Sequence, residues 1–214
     1  MRTKENLVNP DSDYYIYQPS TIASRLYLYP KEIGYFYYEP GYWRSRIQYN
    51  SFLLMYIAKG TCQVLLPNQQ LQNAAAGQVV LIDCYVPHEY GFDSNSEVAW
   101  IHFDGPLARD FYDLIFASHG NIISPSNPFP ITNGLDQMLH VFRNSKPLKE
   151  GEASEMITQM LNTLLYTRAY SGNTTSHFKV VEKSRAYINE HFSEPLTLDQ
   201  LAKNANMSPF HFSR

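Results

Sequence analysis

The stretch GQVVLIDCYVPHEYGFDSNSEVAWIHFDG, residues 77–105, decides the expected fold of this chain. It begins with a glycine turn, continues into an apolar segment over residues 79–82, and is interrupted at Pro87. A polar loop then leads to a second apolar segment over residues 98–103. Short apolar segments joined by turn-rich polar sequence are typical of buried strands. We therefore predict that this stretch belongs to an all-β layer.

Strand-like sequence continues upstream of this stretch as far as residue 26. Short aromatic or branched segments alternate there with the turn sequences Pro40-Gly41, Lys59-Gly60 and Pro67-Asn68. Several short strands at close spacing favour a β-barrel or a β-sandwich. Residues 1–24 are polar and turn-rich instead, and we expect them to form an arm that adds no regular face to the core.

Downstream of Gly105 the pattern changes from strand to helix, and helices are predicted over residues 106–119, 134–142 and 152–170. The third predicted helix carries an apolar stripe at helical spacing, formed by Ala153, Met156, Ile157, Met160, Leu161, Leu164 and Leu165. Two interpretations of this stripe are open. It packs on the β-layer of the same chain, or it forms the helix–helix seam of a homodimer.

Charge and cysteine content indicate the general class of protein. The formal net charge of −3 over 214 residues does not predict a surface for nucleic acid or membrane in the chain as a whole. Cys62 and Cys84 stand apart from each other, which favours reduced thiols in a cytosolic protein over a disulfide framework. With no apolar segment long enough to span a bilayer and no leader pattern, we expect a cytoplasmic protein without a membrane partner.

The small polar segment GNTTSH, residues 172–177, has the composition of a linker between two domains, residues 1–171 and 178–214. In the second domain, Thr197 and Gln200 form a capping box at the start of one helix. Ser208 and Pro209 then start the next helix. Two helices joined by a tight turn predict a helix-turn-helix, with an ordinary helical hairpin as the alternative.

The segment 198–214, with the pattern LxxLAxxxxMSPxxFSR, resembles the first helix-turn-helix of the AraC/XylS family of bacterial transcription regulators. Upstream, FLLMYIAKG at 52–60, GQVVLI at 77–82, PHEY at 87–90 and WIHFDG at 100–105 resemble the cupin-type sensing domain of that family. The resemblance implies an α+β chain. Its N-terminal cupin-like β-barrel is followed by helices and then by the start of an all-α helix-turn-helix domain.

The same resemblance implies a small-molecule effector, a homodimer formed through the helix at residues 152–170, and promoter DNA as a partner of the full-length protein. On the family pattern Phe210, Ser213 and Arg214 face DNA, and arginine suits guanine because its planar fork matches two acceptors in the major groove. Because the chain stops at Arg214, inside the predicted recognition helix, we expect a truncated DNA-binding domain.

Five residues are predicted to contact the effector: Arg44, Arg46, His88, Tyr90 and Trp100. Tyr90 and Trp100 offer flat apolar faces, and the other three offer hydrogen-bond donors, a combination that suits a polyol such as a sugar. The resemblance implies the same, because positions similar to Tyr90, Trp100 and an arginine near Arg46 contact the sugar in the arabinose-sensing member. For His88, a hydrogen bond to a loop carbonyl is an equally open interpretation.

An enzymatic role is the alternative to this sensing role. Many cupin barrels hold a catalytic metal with a His-x-His pair on an early strand and a further histidine on a later strand. Residues 46–64 contain no histidine, so His88 lacks that pair, and we expect no metal, no cofactor and no enzymatic activity. A metal-dependent cupin enzyme and a structural dimerisation module with constitutive DNA binding remain the alternatives.

Overall fold

The computed structural model describes residues 5–167 and, beyond them, residues 184, 187–188, 196–204, 207 and 209–212. The chain divides into two compact units, Met1–Thr167 and Arg168–Arg214. The predicted linker at residues 172–177 lies outside the described residues. No helix in the described part of the chain is both long and apolar enough to cross a membrane.

Two antiparallel sheets form the first unit. The strands are β1 (Asp13–Ile16), β2 (Tyr29–Tyr38), β3 (Tyr42–Arg46), β4 (Phe52–Lys59), β5 (Thr61–Leu65), β6 (Gln72–Ala75), β7 (Val79–Asp83), β8 (His88–Phe92), β9 (Ser96–Asp104) and β10 (Ile122–Ile123). The larger sheet has the order β1-β2-β9-β4-β7-β10 and the smaller one the order β3-β8-β5-β6. Within residues 5–167 no strand pairing joins the two sheets, so they form an open sandwich, and the closed barrel implied by the resemblance is not present.

The central strands of the larger sheet, β9, β4 and β7, are buried on both faces, which explains why they are predominantly apolar. Successive side chains of a strand point to opposite faces. On β4, Leu53 and Met55 belong to the core between the two sheets. Phe52 and Leu54 belong to a second core beneath the helices. The apolar segments at 79–82 and 98–103 do not alternate with polar residues because neither face of these central strands meets water, and His102 is the one ionisable side chain among them.

The described part of this unit contains four helices, which are α1 (Thr21–Leu26), α2 (Ala108–His119), α3 (Phe129–Arg143) and α4 (Glu150–Leu165). The apolar stripe of α4 is buried in the second core, with Leu161 and Leu164 fully covered. The first interpretation of the stripe therefore applies, and its side chains are not available as a dimer seam. A homodimer stays a prediction, but these side chains cannot form its interface. Residues 168–170 of the predicted helix lie outside the described residues.

The N-terminal segment is more regular than its polar sequence predicts. β1 pairs with β2, and the short helix α1 follows, capped by the Ser20 side chain, which accepts from the Ala23 amide. The Glu150 carboxylate at the start of α4 accepts hydrogen bonds from the Ser20 amide at 2.7 Å and the Ser20 hydroxyl at 2.6 Å. Arg143 of α3 binds both carboxylate oxygens of Asp13 at 2.8 and 2.9 Å. The predicted arm without a core face is therefore tied to the helices.

In the second unit, α5 (Leu198–Asn204) and α6 (Pro209–Phe212) lie on either side of Met207. The predicted capping box is present, because the Gln200 amide donates to Thr197 Oγ1 at 3.3 Å and the Thr197 amide donates to Gln200 Oε1 at 2.9 Å. Phe210 lies in α6, whereas Ser213 and Arg214 lie outside the described residues. The helix-turn-helix and its DNA-facing residues stay predictions.

Candidate ligand-binding site between the two sheets

A cavity of about 260 Å³ opens between the two sheets of the first unit. Its walls come from the N-terminal segment and from strands β2, β3, β8 and β9, and they consist of Glu5, Tyr14, Ile16, Glu32, Phe36, Tyr38, Tyr42, Arg44, Arg46, Tyr90, Trp100 and His102. Four of the five predicted contact residues are therefore brought together. His88 lines an adjoining cavity of about 830 Å³, which shares Arg46 with the smaller one.

Strand register explains how the charged residues enter the cavity. β3 pairs with β8 so that Arg44 lies opposite Tyr90 and Arg46 lies opposite His88. Residues two apart on a strand point to the same face, and Arg44 and Arg46 therefore both point between the sheets. The alternate side chains of the strand, Trp43 and Ser45, are exposed, and the exposed fraction of Trp43 is 43%.

Trp100 is a buried aromatic side chain of the cavity with close neighbours on β2. It is 7% exposed and meets Phe36 edge-to-face, with ring centroids 5.1 Å apart. Its register partner on β2 is Gly34, and a Cβ atom there would come within 2.5 Å of the indole. The indole can lie across β2 only because residue 34 has no side chain. Within the described residues, the buried indole Nε1 has no hydrogen-bond partner.

The two arginines differ in their partners. Arg44 forms an ion pair with Glu5 and donates through Nε to the Tyr42 hydroxyl at 3.2 Å, and this hydroxyl in turn donates to Glu5 Oε1 at 2.9 Å. The Arg46 guanidinium lies 4.5 Å from the centre of the Tyr49 ring. Among the residues that the structure describes, Arg46 makes no ion pair or hydrogen bond. It is a half-buried cation beside a cavity, and no carboxylate is paired with it.

The buried histidines His88 and His102 are neutral, and the Nε2 atom of each ring is a hydrogen-bond acceptor. His88 Nδ1 lies 2.8 Å from the Val86 carbonyl, which can only accept, so the proton is on Nδ1 and the buried Nε2 is left without a partner among the described residues. His102 Nδ1 lies 2.9 Å from Ser51 Oγ, and the Ser51 hydroxyl donates to a backbone carbonyl at 3.1 Å. His102 Nδ1 therefore carries a proton as well. Burial is the largest cause that lowers the pKa of both histidines, which keeps both rings neutral.

The adjoining cavity contains His88, for which ligand contact and a hydrogen bond to a loop carbonyl are both predicted. The Nδ1 hydrogen bond of His88 is of the kind that one interpretation predicted, a bond to a loop carbonyl. Asp83, at the edge of the same cavity, is held by Arg109 of α2 through contacts of 2.6 and 3.1 Å. The adjoining cavity is thus connected to the helix layer by a charged pair, whereas the smaller one is connected to the N-terminal segment by Glu5.

Sequence reasoning missed several residues of the cavity. His102 lies two residues after Trp100 on β9, and Tyr42 lies two residues before Arg44 on β3, so strand alternation could have identified both. Glu5 and Tyr14 come from the N-terminal segment, whose polar sequence contains no signal that it lines a cavity. Their positions depend on the pairing of β1 with β2, which local sequence does not specify.

His102 lies in the cavity wall, and Cys62 and Cys84 belong to the core between the two sheets. Within the described residues, no group of three or more His, Cys, Asp and Glu side chains is placed to hold a metal ion. Both cysteines are buried and unpaired. Burial raises the pKa of Cys62 to about 12, so this thiol is protonated at neutral pH.

Comparison with known proteins gives one family match and several distant structural matches. The family model "AraC-like ligand binding domain" matches residues 29–162. The solved AraC-like transcriptional activator CuxR is 11% identical, with 93% of this chain and 77% of that chain covered and a TM-score of 0.48. A cupin superfamily protein from Desulfitobacterium hafniense is 14% identical, with 48% and 82% covered and a TM-score of 0.34. No curated protein sequence matches the chain.

Proposed function

Because the chain belongs to the AraC-like ligand-binding domain family, we propose that it is the effector-sensing part of a transcription regulator, and that the effector binds in the cavity between the two sheets. In the full-length protein, effector binding alters how the DNA-binding helices engage promoter DNA. Phe210, Ser213 and Arg214 remain the residues proposed to face DNA. No catalytic step is part of this function.

The observation that carries the proposal is the unpartnered indole N–H of Trp100 at the cavity. A buried donor without a partner costs about 1–3 kcal/mol, because it has lost its hydrogen bonds to water. A ligand acceptor placed against Nε1 recovers that free energy. Arg46, whose charge is not paired within the described part of the chain, supplies a second donor at the same cavity.

The remaining cavity walls define the kind of ligand. At about 30 Å³ per water molecule, a cavity of about 260 Å³ has room for roughly nine waters, which corresponds to a small molecule. His102 Nε2 and the Glu32 carboxylate offer acceptors, while Trp100 and Arg46 offer donors. A hydroxyl group can both donate and accept, so a small polyhydroxylated molecule such as a sugar matches this mixture.

Tryptophan fluorescence tests the proposal directly, because the chain has two tryptophans and only one lies in the cavity. In a Trp43→Phe variant, Trp100 is the single reporter. We expect a binding member of a sugar and small-acid panel to shift its emission and to raise the melting temperature. The further substitution Trp100→Phe removes the N–H donor and lowers affinity by about tenfold, equivalent to ~1.4 kcal/mol.

The control is Trp43→Phe alone, which alters the exposed face of β3 and leaves the affinity measured by calorimetry unchanged. If no panel member binds and Trp100→Phe leaves regulation intact in the full-length protein, the cavity is not an effector site. That result would favour the dimerisation module with constitutive DNA binding. Stoichiometric bound metal in elemental analysis would instead favour the enzyme alternative.

A further inference from the structure

The two arginines of the cavity differ in a way that bears on the chemical class of the ligand. Arg44 and Arg46 are two residues apart on β3 and point into the same cavity. Glu5 neutralises Arg44, whereas no carboxylate within the described residues neutralises Arg46. The residue that neutralises Arg44 comes from the N-terminal segment, outside the part of the chain that matches the family model.

Glu5 is bound as a carboxylate ligand would be bound. Its side chain pairs with the Arg44 guanidinium, and its Oε1 accepts from the Tyr42 hydroxyl at 2.9 Å. Arg44 Nε donates to that same hydroxyl at 3.2 Å, which orients the phenol toward the carboxylate. A guanidinium and a hydroxyl that converge on one carboxylate are a strong, charge-assisted receptor for this group.

The backbone beside Glu5 is held in an unfavourable conformation. Leu7 has a φ of 60°, in the left-handed region that leucine rarely adopts, and its side chain is 42% exposed. The segment is anchored one residue later, where Val8 is buried and forms a bridge to Tyr38. Glu5 can therefore leave Arg44 by rotation about Leu7, which relieves this strain, while Val8 stays in place.

We propose that the effector is a small hydroxylated carboxylate, a sugar acid or hydroxy acid, whose carboxylate takes the place of Glu5 on Arg44. Once Glu5 has left, the donors Arg44, Arg46 and Trp100 Nε1 outnumber the single carboxylate of Glu32, whose Oε1 already accepts from the Tyr49 hydroxyl. The neutral ring of His102 accepts from a ligand hydroxyl. The inference rests on the proposed function and adds the charge of the effector and its competition with the N-terminal segment.

Matched ligand pairs test the charge of the effector. The probes are D-galacturonate with D-galactose, D-glucuronate with D-glucose, and D-gluconate with D-glucitol, each titrated by calorimetry into the 214-residue chain. We expect at least one acid to bind and its neutral partner to bind at least tenfold more weakly. Neutral sugars that bind as well as their acids, or better, overturn the inference but leave the proposed function standing. If neither acids nor neutral sugars bind, the inference fails, and the proposed function fails with it only if Trp100→Phe also leaves regulation intact in the full-length protein.

The substitution Glu5→Gln tests the competition. It removes the internal carboxylate, so the affinity for the acid rises by about tenfold, because the binding-competent fraction of the chain increases. The matched control is Asp11→Asn, an exposed carboxylate of the same segment that lies outside the cavity, and its affinity is unchanged. An unchanged affinity in Glu5→Gln shows that Glu5 is not displaced and overturns the inference.

Hydrogen exchange provides a second measurement. The Val8 amide donates to the Glu5 carbonyl at 3.3 Å. Displacement of Glu5 breaks this hydrogen bond, so Val8 exchanges faster in the acid complex, while the amide of Asn9, bonded to Tyr37 at 2.9 Å, keeps its protection. Unchanged protection of Val8 in a saturated acid complex contradicts the displacement.

Discussion

The substitution Gly34→Ala should disturb the cavity from within its wall, because Gly34 lies beside Trp100 on the cavity face of β2. The added Cβ would lie 2.5 Å from Trp100 Cζ2, 2.7 Å from Trp100 Cε2 and 2.9 Å from the Asp13 carbonyl oxygen. Distances this short are not tolerated, so the indole must move toward the cavity or β1 must separate from β2. Either response changes a side chain that we propose to contact the effector.

The expected size of the effect follows from overpacking. Forcing extra volume into a packed core costs about 1–3 kcal/mol. For a domain of this size, 1 kcal/mol lowers the melting temperature by about 2–4 °C, so we expect a loss of roughly 2–12 °C. The Trp100 emission maximum should shift in the Trp43→Phe background, because the environment of the indole changes. Effector affinity should fall together with stability.

Two further variants separate packing from other causes. Gly77→Ala adds a methyl group at a position with a φ of +87° and no atom within 4 Å, so it should lower stability through backbone strain alone and leave Trp100 fluorescence unchanged. Trp100→Phe removes most of the indole contact, so Gly34→Ala should cost about 1 kcal/mol less in its presence, measured as a double-mutant coupling energy. Wild-type stability and fluorescence in Gly34→Ala would refute the reasoning.

Three other predictions follow from the same structure. Leu161→Glu places a charge in the core beneath the helices, so the free energy of unfolding measured by urea denaturation should fall by at least about 3 kcal/mol. Gln159→Glu on the exposed face of the same helix should leave it nearly unchanged, and a stably folded Leu161→Glu monomer would contradict the buried position. The hydrogen bond from Arg143 lowers the pKa of Asp13 below its ordinary 3.8, so this pair should stabilise the fold above about pH 4 and lose that effect as the pH falls through the lowered pKa. Arg143→Gln should remove this acid dependence from melting temperatures measured across the same pH range. Both buried cysteines should react with a thiol reagent only at the rate of opening or unfolding, and rapid labelling of the native chain would refute their burial.

Strand prediction succeeded where the signal is local. The apolar segments at 52–58, 79–82 and 98–103 do lie in β4, β7 and β9. Their lack of alternation did not reveal which side chains face the cavity, because both faces of these central strands are buried. Trp100 was identified by its chemistry, and His102 was missed although it lies on the same face of β9.

Other features depend on contacts between distant parts of the chain. The polar segment around Asp13 forms β1 because it pairs with β2 and because Arg143, 130 residues away, binds its carboxylate. Glu5 lines the cavity for a similar reason. Whether the strands close into a barrel also depends on pairings between sheet edges, which composition and periodicity do not encode.

Because its two faces belong to different cores, strand β9 is a partition only one backbone thick. Trp100 faces the cavity, while its neighbours Ile101 and Phe103 belong to the core beneath the helices. The same backbone therefore forms part of the cavity wall on one face and packs against the core beneath the helices on the other, and no further layer separates the two. A ligand that displaces β9 would therefore also displace Ile101 and Phe103, which belong to the same core as residues of α2, α3 and α4.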